Sequence, residues 1–312
     1  MQFSITNAAF EGLRVMKRAP LAVVMWGLAY LVCLAVIIML AGTAIVSAAA
    51  GLQTDSYDPG AAARMMGAVG MTYVIAIPLL LIAASIVVAA TCRAVLTPNN
   101  PGFFFMRLGG AEFRLMGAYL VIALLTIVAV VLFGLVFGVI AGGAFLASGG
   151  LQNGQAGGPM LALFYPAYFG AIILYVWVSV RLSLLGPITV AEGRFALGRS
   201  WAATKGRFWV LIDLGAATMV RWFLVYFAAI CVFCVVAMIG GGLLSPDAIA
   251  AAENGDAGQV MARVLPLIII FSILMAGFIA LQFTILSSPF AVFYRDVVAA
   301  KPAPEVVEAT EV

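Results

Sequence analysis

LMGAYLVIALLTIVAVVLFGLVFGVIAGGAFLASGGLQNGQAGGPMLALFYPAYFGAIILYVWVSV, residues 115–180, contains no charged side chain. A bilayer core of ~30 Å needs about 20 apolar residues per helix, so this run is too long for one span. It breaks inside SGGLQNGQAGGP, residues 148–159, where Gly, Asn, Gln and Pro read as a turn. The run therefore holds two spans. Four further apolar stretches flank it, within residues 21–50 and 65–92, up to about 242, and within 264–294. The total is six.

The composition of the whole chain agrees. Of its 312 residues 65% are hydrophobic and 9% charged, where a soluble domain carries roughly 25% charged residues. Such a chain cannot clothe a water-facing surface. The fold class predicted is all-α and polytopic. One membrane domain covers residues 1–296, and residues 297–312 are expected as a disordered cytoplasmic tail. The apolar run after Arg18 is too long for the h-region of a signal peptide, so we expect no cleaved leader.

Several chemistries are excluded. There is no histidine, which removes His bases, His-ligated haem and His-containing zinc sites. No G-x-x-x-x-G-K-[ST] loop is present, and a net charge of +3 is too small for nucleic-acid binding. Cys231 and Cys234 have C-x-x-C spacing but lie among Ile, Val and Phe, where a redox pair lacks access, so they read as buried small hydrophobes. No nucleophile–base pair or metal cluster occurs in the spans. The expectation is a non-enzymatic protein with no cofactor.

Six spans place both termini on one side of the membrane. That side carries 14 of the 16 basic residues, leaving only Arg64 and Arg263 opposite. The bias predicts cytoplasmic termini.

Stretches preceding spans one, three and five look alike: AAFEGLRVMKRAP (8–20), FFFMRLGGAEFRLMG (103–117) and ALGRSWAATKGRFW (196–209). Prolines mark the ends of the even spans at Pro98, Pro187 and Pro289. The reading is three parallel units of about 90 to 100 residues, near 1–98, 99–187 and 188–296, each a lead-in helix followed by a two-span hairpin. In the first lead-in, Ser4, Asn7, Glu11, Arg14 and Arg18 form one polar stripe at steps of three and four. Such helices read as lying in the headgroup layer. The third, with Arg194, Arg199, Lys205 and Arg207, is expected to be a surface helix separate from span five. Leu197, Trp201, Thr204 and Phe208 would form its membrane-facing stripe.

Three sets of residues are candidates for function. Arg14, Lys17, Arg18, Arg93, Arg181, Arg199, Lys205 and Arg207 are candidate lipid or anion contacts, against the plainer reading of positive-inside anchoring. Asp213 and Arg221 are the charges inside the long fifth hydrophobic region. They form an intramembrane pair if the span starts near Phe208, whereas Arg221 is an interfacial anchor if it starts near Trp222. Gly134, Gly138 and Gly142 form G-x-x-x-G-x-x-x-G, which reads as close helix packing inside the bundle rather than a dimer seam.

The stretch Arg181, Pro187, Glu192, then ALGRSW (196–201) and TKGRFW (204–209) resembles a hallmark segment of a bacterial family. Its members are inner-membrane proteins similar to the membrane domain attached to some glycerophosphodiester phosphodiesterases. The likeness implies a stand-alone, multi-span protein of the bacterial inner membrane. The phosphodiesterase domain, whose chemistry relies on histidines and metal-binding carboxylates, has no counterpart, so no activity carries over. The function expected is engagement of membrane lipids, or of a membrane-protein partner, through a basic cytoplasmic face, with no nucleic-acid partner. A transporter or channel for a small anionic or amphiphilic solute, running along a pseudo-threefold axis, is the alternative.

Overall fold

The computed structural model describes residues 3–50, 59–107, 109–147, 157–241 and 257–300. All regular structure among them is helical. Two short helices, α1 (Ile5–Ala9) and α2 (Glu11–Arg18), lead into α3 (Pro20–Ala50). Next come α4 (Pro59–Leu96), α5 (Gly110–Ala147) and α6 (Gly157–Leu182). Two more short helices, α7 (Leu185–Glu192) and α8 (Leu197–Ala203), precede α9 (Phe208–Gly241) and α10 (Ala257–Phe293). A π-helical turn, Tyr294–Ala299, closes the described chain, and residues 301–312 of the expected tail lie outside it. Helices α3, α4, α5, α6, α9 and α10 are long and apolar enough to cross a membrane. The chain is a multi-pass helical membrane protein.

Local chemistry sets the helix ends. Ser4 caps α1 by accepting from the Asn7 N–H at 3.4 Å. Glu112, in the first turn of α5, reaches back to accept the Gly109 N–H at 3.1 Å, the reciprocal half of a capping box. Gly193 ends α7 in the left-handed region, φ +63°, with its N–H on the Thr189 carbonyl. Gly206, φ +79°, separates α8 from α9.

Packing is uneven. Helices α3, α4 and α10 make the tight core, in which Ala22, Trp26, Val87 and Ala280 are buried. The backbones of α3 and α10 meet closely: a Cβ built on Gly27 would lie 3.4 Å from the Ala276 carbonyl oxygen. Tyr30 of α3 stacks on Phe283 of α10 at 5.8 Å. The α5–α6 hairpin is less enclosed and touches the rest mainly near α4 and α7. Lead-in helices α1 and α2 rest on α9 and α10, where Gly12 brings α2 within 2.9 Å (Cβ to Ile285 Cα) and Phe3 meets Phe293 edge-on at 5.1 Å. Short helices α1, α2, α7 and α8 thus gather at one end of the bundle, called here the basic end.

Candidate functional site

Three glutamates organise the arginines of the basic end. Glu11 is buried in α2 and holds Arg18 at 2.9 Å and Arg14 at 3.3 Å. Arg14 also donates to Asn7 at 3.2 Å, so the expected polar stripe is knitted together along its length. Glu112 is buried in α5 and pairs with Arg93 of α4. Arg93 donates in addition to the Phe105 carbonyl at 3.1 Å. Glu192 of α7 holds Arg194 at 2.8 Å and Arg199 at 3.3 Å, and accepts from the Tyr294 hydroxyl at 3.5 Å. Glu112 had no place in the sequence reading. Helical spacing gave no signal for it, because its partner Arg93 lies on another helix.

The loop between α4 and α5 is drawn tight by the same groups. Phe104 and Phe105 both have positive φ, 53° and 62°, an unfavourable region for bulky side chains. Two donors hold them there: the buried Trp26 indole on the Phe104 carbonyl at 3.0 Å, and Arg93 on Phe105.

Arg181 lies at the last turn of α6, with its guanidinium 5.7 Å from the ring centroids of both Trp177 and Trp201. The two indoles meet edge-to-face at 5.1 Å. The Nε and Nη1 groups of Arg181 are covered and have no hydrogen-bond partner among the described residues, so the aromatic faces are what they meet. The Arg181 backbone carbonyl accepts from Ser200 Oγ at 2.9 Å and Thr204 Oγ1 at 3.5 Å, which docks α8 against the end of α6.

Other positions depart from the sequence reading. Helix α9 begins at Phe208, yet Arg221 meets Ala217 and Phe10 rather than Asp213. Eight residues at 1.5 Å rise separate them by ~12 Å along the helix. Asp213 is exposed, while Arg221 stacks on the Phe10 ring at 3.9 Å and donates to the Ala217 carbonyl at 3.1 Å. The inward face of α8 is Ala196, Ser200 and Thr204, all buried, rather than the stripe of Leu197, Trp201, Thr204 and Phe208 being one outward face. For Gly134, Gly138 and Gly142 the expected close packing is not seen among the described residues, where no atom comes within 4 Å of a Cβ built on any of them. Cys231 and Cys234 are free thiols on an exposed face of α9 rather than buried. Arg93, Arg181, Asp213 and Arg221 occupy separate environments and do not converge.

Among the described residues, the cations of the basic end without a carboxylate are therefore not the expected set: Lys17, Arg181, Lys205 and Arg207 belong to that set, whereas Arg107 and Arg114 do not. Lys17, Lys205 and Arg114 are exposed, Arg107 donates to Asn100 at 3.1 Å, and Arg207 donates to the Ala203 carbonyl at 3.3 Å.

Two concavities open beside the α5–α6 hairpin. One, of about 650 Å³, lies near the basic end and is lined by α4, α5, α6, α7 and α10. The other, of about 590 Å³, runs deeper between α5 and α6. They share Ile122, Thr126, Tyr175, Val178 and Leu182, and no charged residue lines either.

No protein-family model, curated protein or solved structure matches the chain.

Proposed function

We propose that the chain is a non-enzymatic protein of the bacterial inner membrane that engages anionic lipid through its basic end, which faces the cytoplasm. The single observation that carries this reading is the division of labour among the cations. Glu11, Glu112 and Glu192 hold five arginines against the protein body, while Lys17, Arg107, Arg114, Lys205 and Arg207 carry no carboxylate among the described residues. Each of these five adds up to ~1 kcal/mol of attraction on an anionic leaflet. The Arg181–Trp177–Trp201 cluster supports the same level, since indoles favour the interface.

Helix α9, 34 residues long, would extend ~50 Å, beyond the ~30 Å core. Its first turns then project from the membrane, and Arg221 sits at the headgroup level under Phe10, which joins α1 to α2. The three glutamates fall one to each unit of the parallel three-unit plan, which supports that plan. The family resemblance of residues 181–209 points to the same class of stand-alone membrane protein. A transport path would need polar side chains converging through the bundle, whereas the concavities beside α5 and α6 have no charged lining residue and are apolar at their far end.

The test is lipid retention. Native mass spectrometry of the purified protein with equimolar phosphatidylglycerol and phosphatidylcholine should show a preference for phosphatidylglycerol. Replacing Lys17, Arg107, Arg114, Lys205 and Arg207 together by Gln should erase that preference. An unchanged preference in that variant would refute the reading.

A further inference from the structure

The two concavities form one lateral groove with a polar end and an apolar end. Near the basic end its walls carry the hydroxyls of Tyr119, Ser179, Ser183 and Ser287. Ser183 already donates to the Val180 carbonyl at 2.8 Å, leaving its oxygen to accept. Toward the far end the walls are Ala129, Val130, Phe133, Ala167, Gly170 and Ala171, with no polar side chain among them. From Tyr119 to Phe133 is 14 residues, which at 1.5 Å per residue is ~21 Å of groove. One leaflet of a ~30 Å hydrocarbon core is ~15 Å deep, so the groove is long enough for a whole acyl chain. Its volume lies within the ~300–1,000 Å³ range of ligand sites.

The same features identify the occupant. The groove opens sideways in the segment of the chain that is free of charge for residues 115–180, so what reaches it is lipid. The hydroxyls are densest at the end nearest the basic layer, Thr126 and Tyr175 stand midway, and the far walls have none, which sets the polarity of an amphiphile in it. They are neutral donors, matched to ester carbonyls rather than to a phosphate, and the phosphate is left to the basic layer beyond. Gly170 keeps the channel clear: no atom lies within 4 Å of a Cβ built there.

We propose that this groove binds one acyl chain of a membrane glycerophospholipid, with its ester group at Tyr119, Ser179 and Ser287 and its chain end against Phe133 and Ala167. The proposal goes beyond attraction of headgroups to the basic end, and it stands or falls separately because none of the basic residues lines the groove.

Phosphatidylglycerol carrying a diazirine midway along one acyl chain tests it. The probe is incorporated with the full-length protein into nanodiscs and photolysed, and the adducts are mapped. Adducts should concentrate on Ala129, Val130 and Ala171 rather than on outward residues such as Leu135 and Ile173. Gly170→Phe, which fills the groove, should lower groove labelling roughly tenfold or more, as apolar pockets discriminate per methylene-sized change. Ala129→Phe, from the opposite wall, should do the same, so a folding fault in one variant leaves the other decisive. Lys17→Gln with Lys205→Gln should leave the groove adducts in place. Adducts spread evenly over α5 and α6, or undiminished in both Phe variants, would overturn the proposal. So would labelling by a diazirine fatty acid with none by the phospholipid. A change of oligomeric state in the Phe variants with unchanged lipid label would assign the groove to a second copy of the chain, again overturning it.

Discussion

A carboxylate and a guanidinium removed from water at the same point make the Arg93–Glu112 pair the costliest one to break. Glu112 is buried, and its second oxygen caps the start of α5. Removing one partner of such a pair strands the other, typically at ~3–5 kcal/mol. Glu112→Ala and Arg93→Ala should therefore each lower the thermal unfolding temperature in detergent by several degrees. The double variant should cost much less than the two combined, because neither charge is then stranded. Additive losses would show that the two side chains do not act as a unit. Glu11 differs in kind: both of its arginines are largely exposed, so the pairs contribute little individually. Glu11 and Arg14 were legible in sequence as members of one helical stripe. Glu112 was not, because its partner lies 19 positions back on another helix, and helical spacing reads only neighbours three or four apart.

Helix α8 shows how a short element is held. Its Ser200 and Thr204 hydroxyls both reach the Arg181 carbonyl, a group left over at the end of α6. Ser200→Ala should cost about 1 kcal/mol and speed amide exchange across residues 194–207, measured by mass spectrometry. Exchange unchanged from the parent would show that the aromatic contact of Trp201 with Trp177 carries the docking alone. Gly206 separates α8 from α9 for a purely conformational reason. A Cβ there meets no atom within 4 Å, yet φ is +79°. Gly206→Ala should cost ~1–2 kcal/mol and Gly206→Asn distinctly less, read from denaturation midpoints. Equal losses for both would implicate something other than backbone handedness. The separation of α8 from span five was readable, since glycine and a basic cluster punctuate the sequence there. Which face of α8 turns inward was not. Small residues lose to Leu and Trp on any hydrophobic count, yet Ala196, Ser200 and Thr204 are what permit close docking.

Across the whole molecule, six spans and 14 basic residues against 2 imply one topology. In a variant with Cys33, Cys92, Cys231 and Cys234 replaced by Ser or Ala, a cysteine at position 17 or 205 should react with an impermeant maleimide only from the cytoplasmic side. One at position 55 should react only from the opposite side. Labelling of positions 17 and 55 from the same side would rule out the six-span topology. Packing is also a property of the whole. Helices α3, α4 and α10 bury one another, while α5 and α6 leave a groove open to the side.

The number of spans, the helical class and the concentration of basic residues at one end followed from the sequence alone, because each depends on counts and runs along the chain that the bilayer thickness and the charge bias convert directly into structure. The partners of the charges, the stacking of Arg221 on Phe10 and the groove beside α5 were decided only in three dimensions. In a chain this apolar almost every helix surface is greasy all round, so hydrophobicity along the sequence carries no record of which face meets a neighbour. That choice is made by close fits such as Gly27 on Ala276 and by the few polar groups that must find a partner.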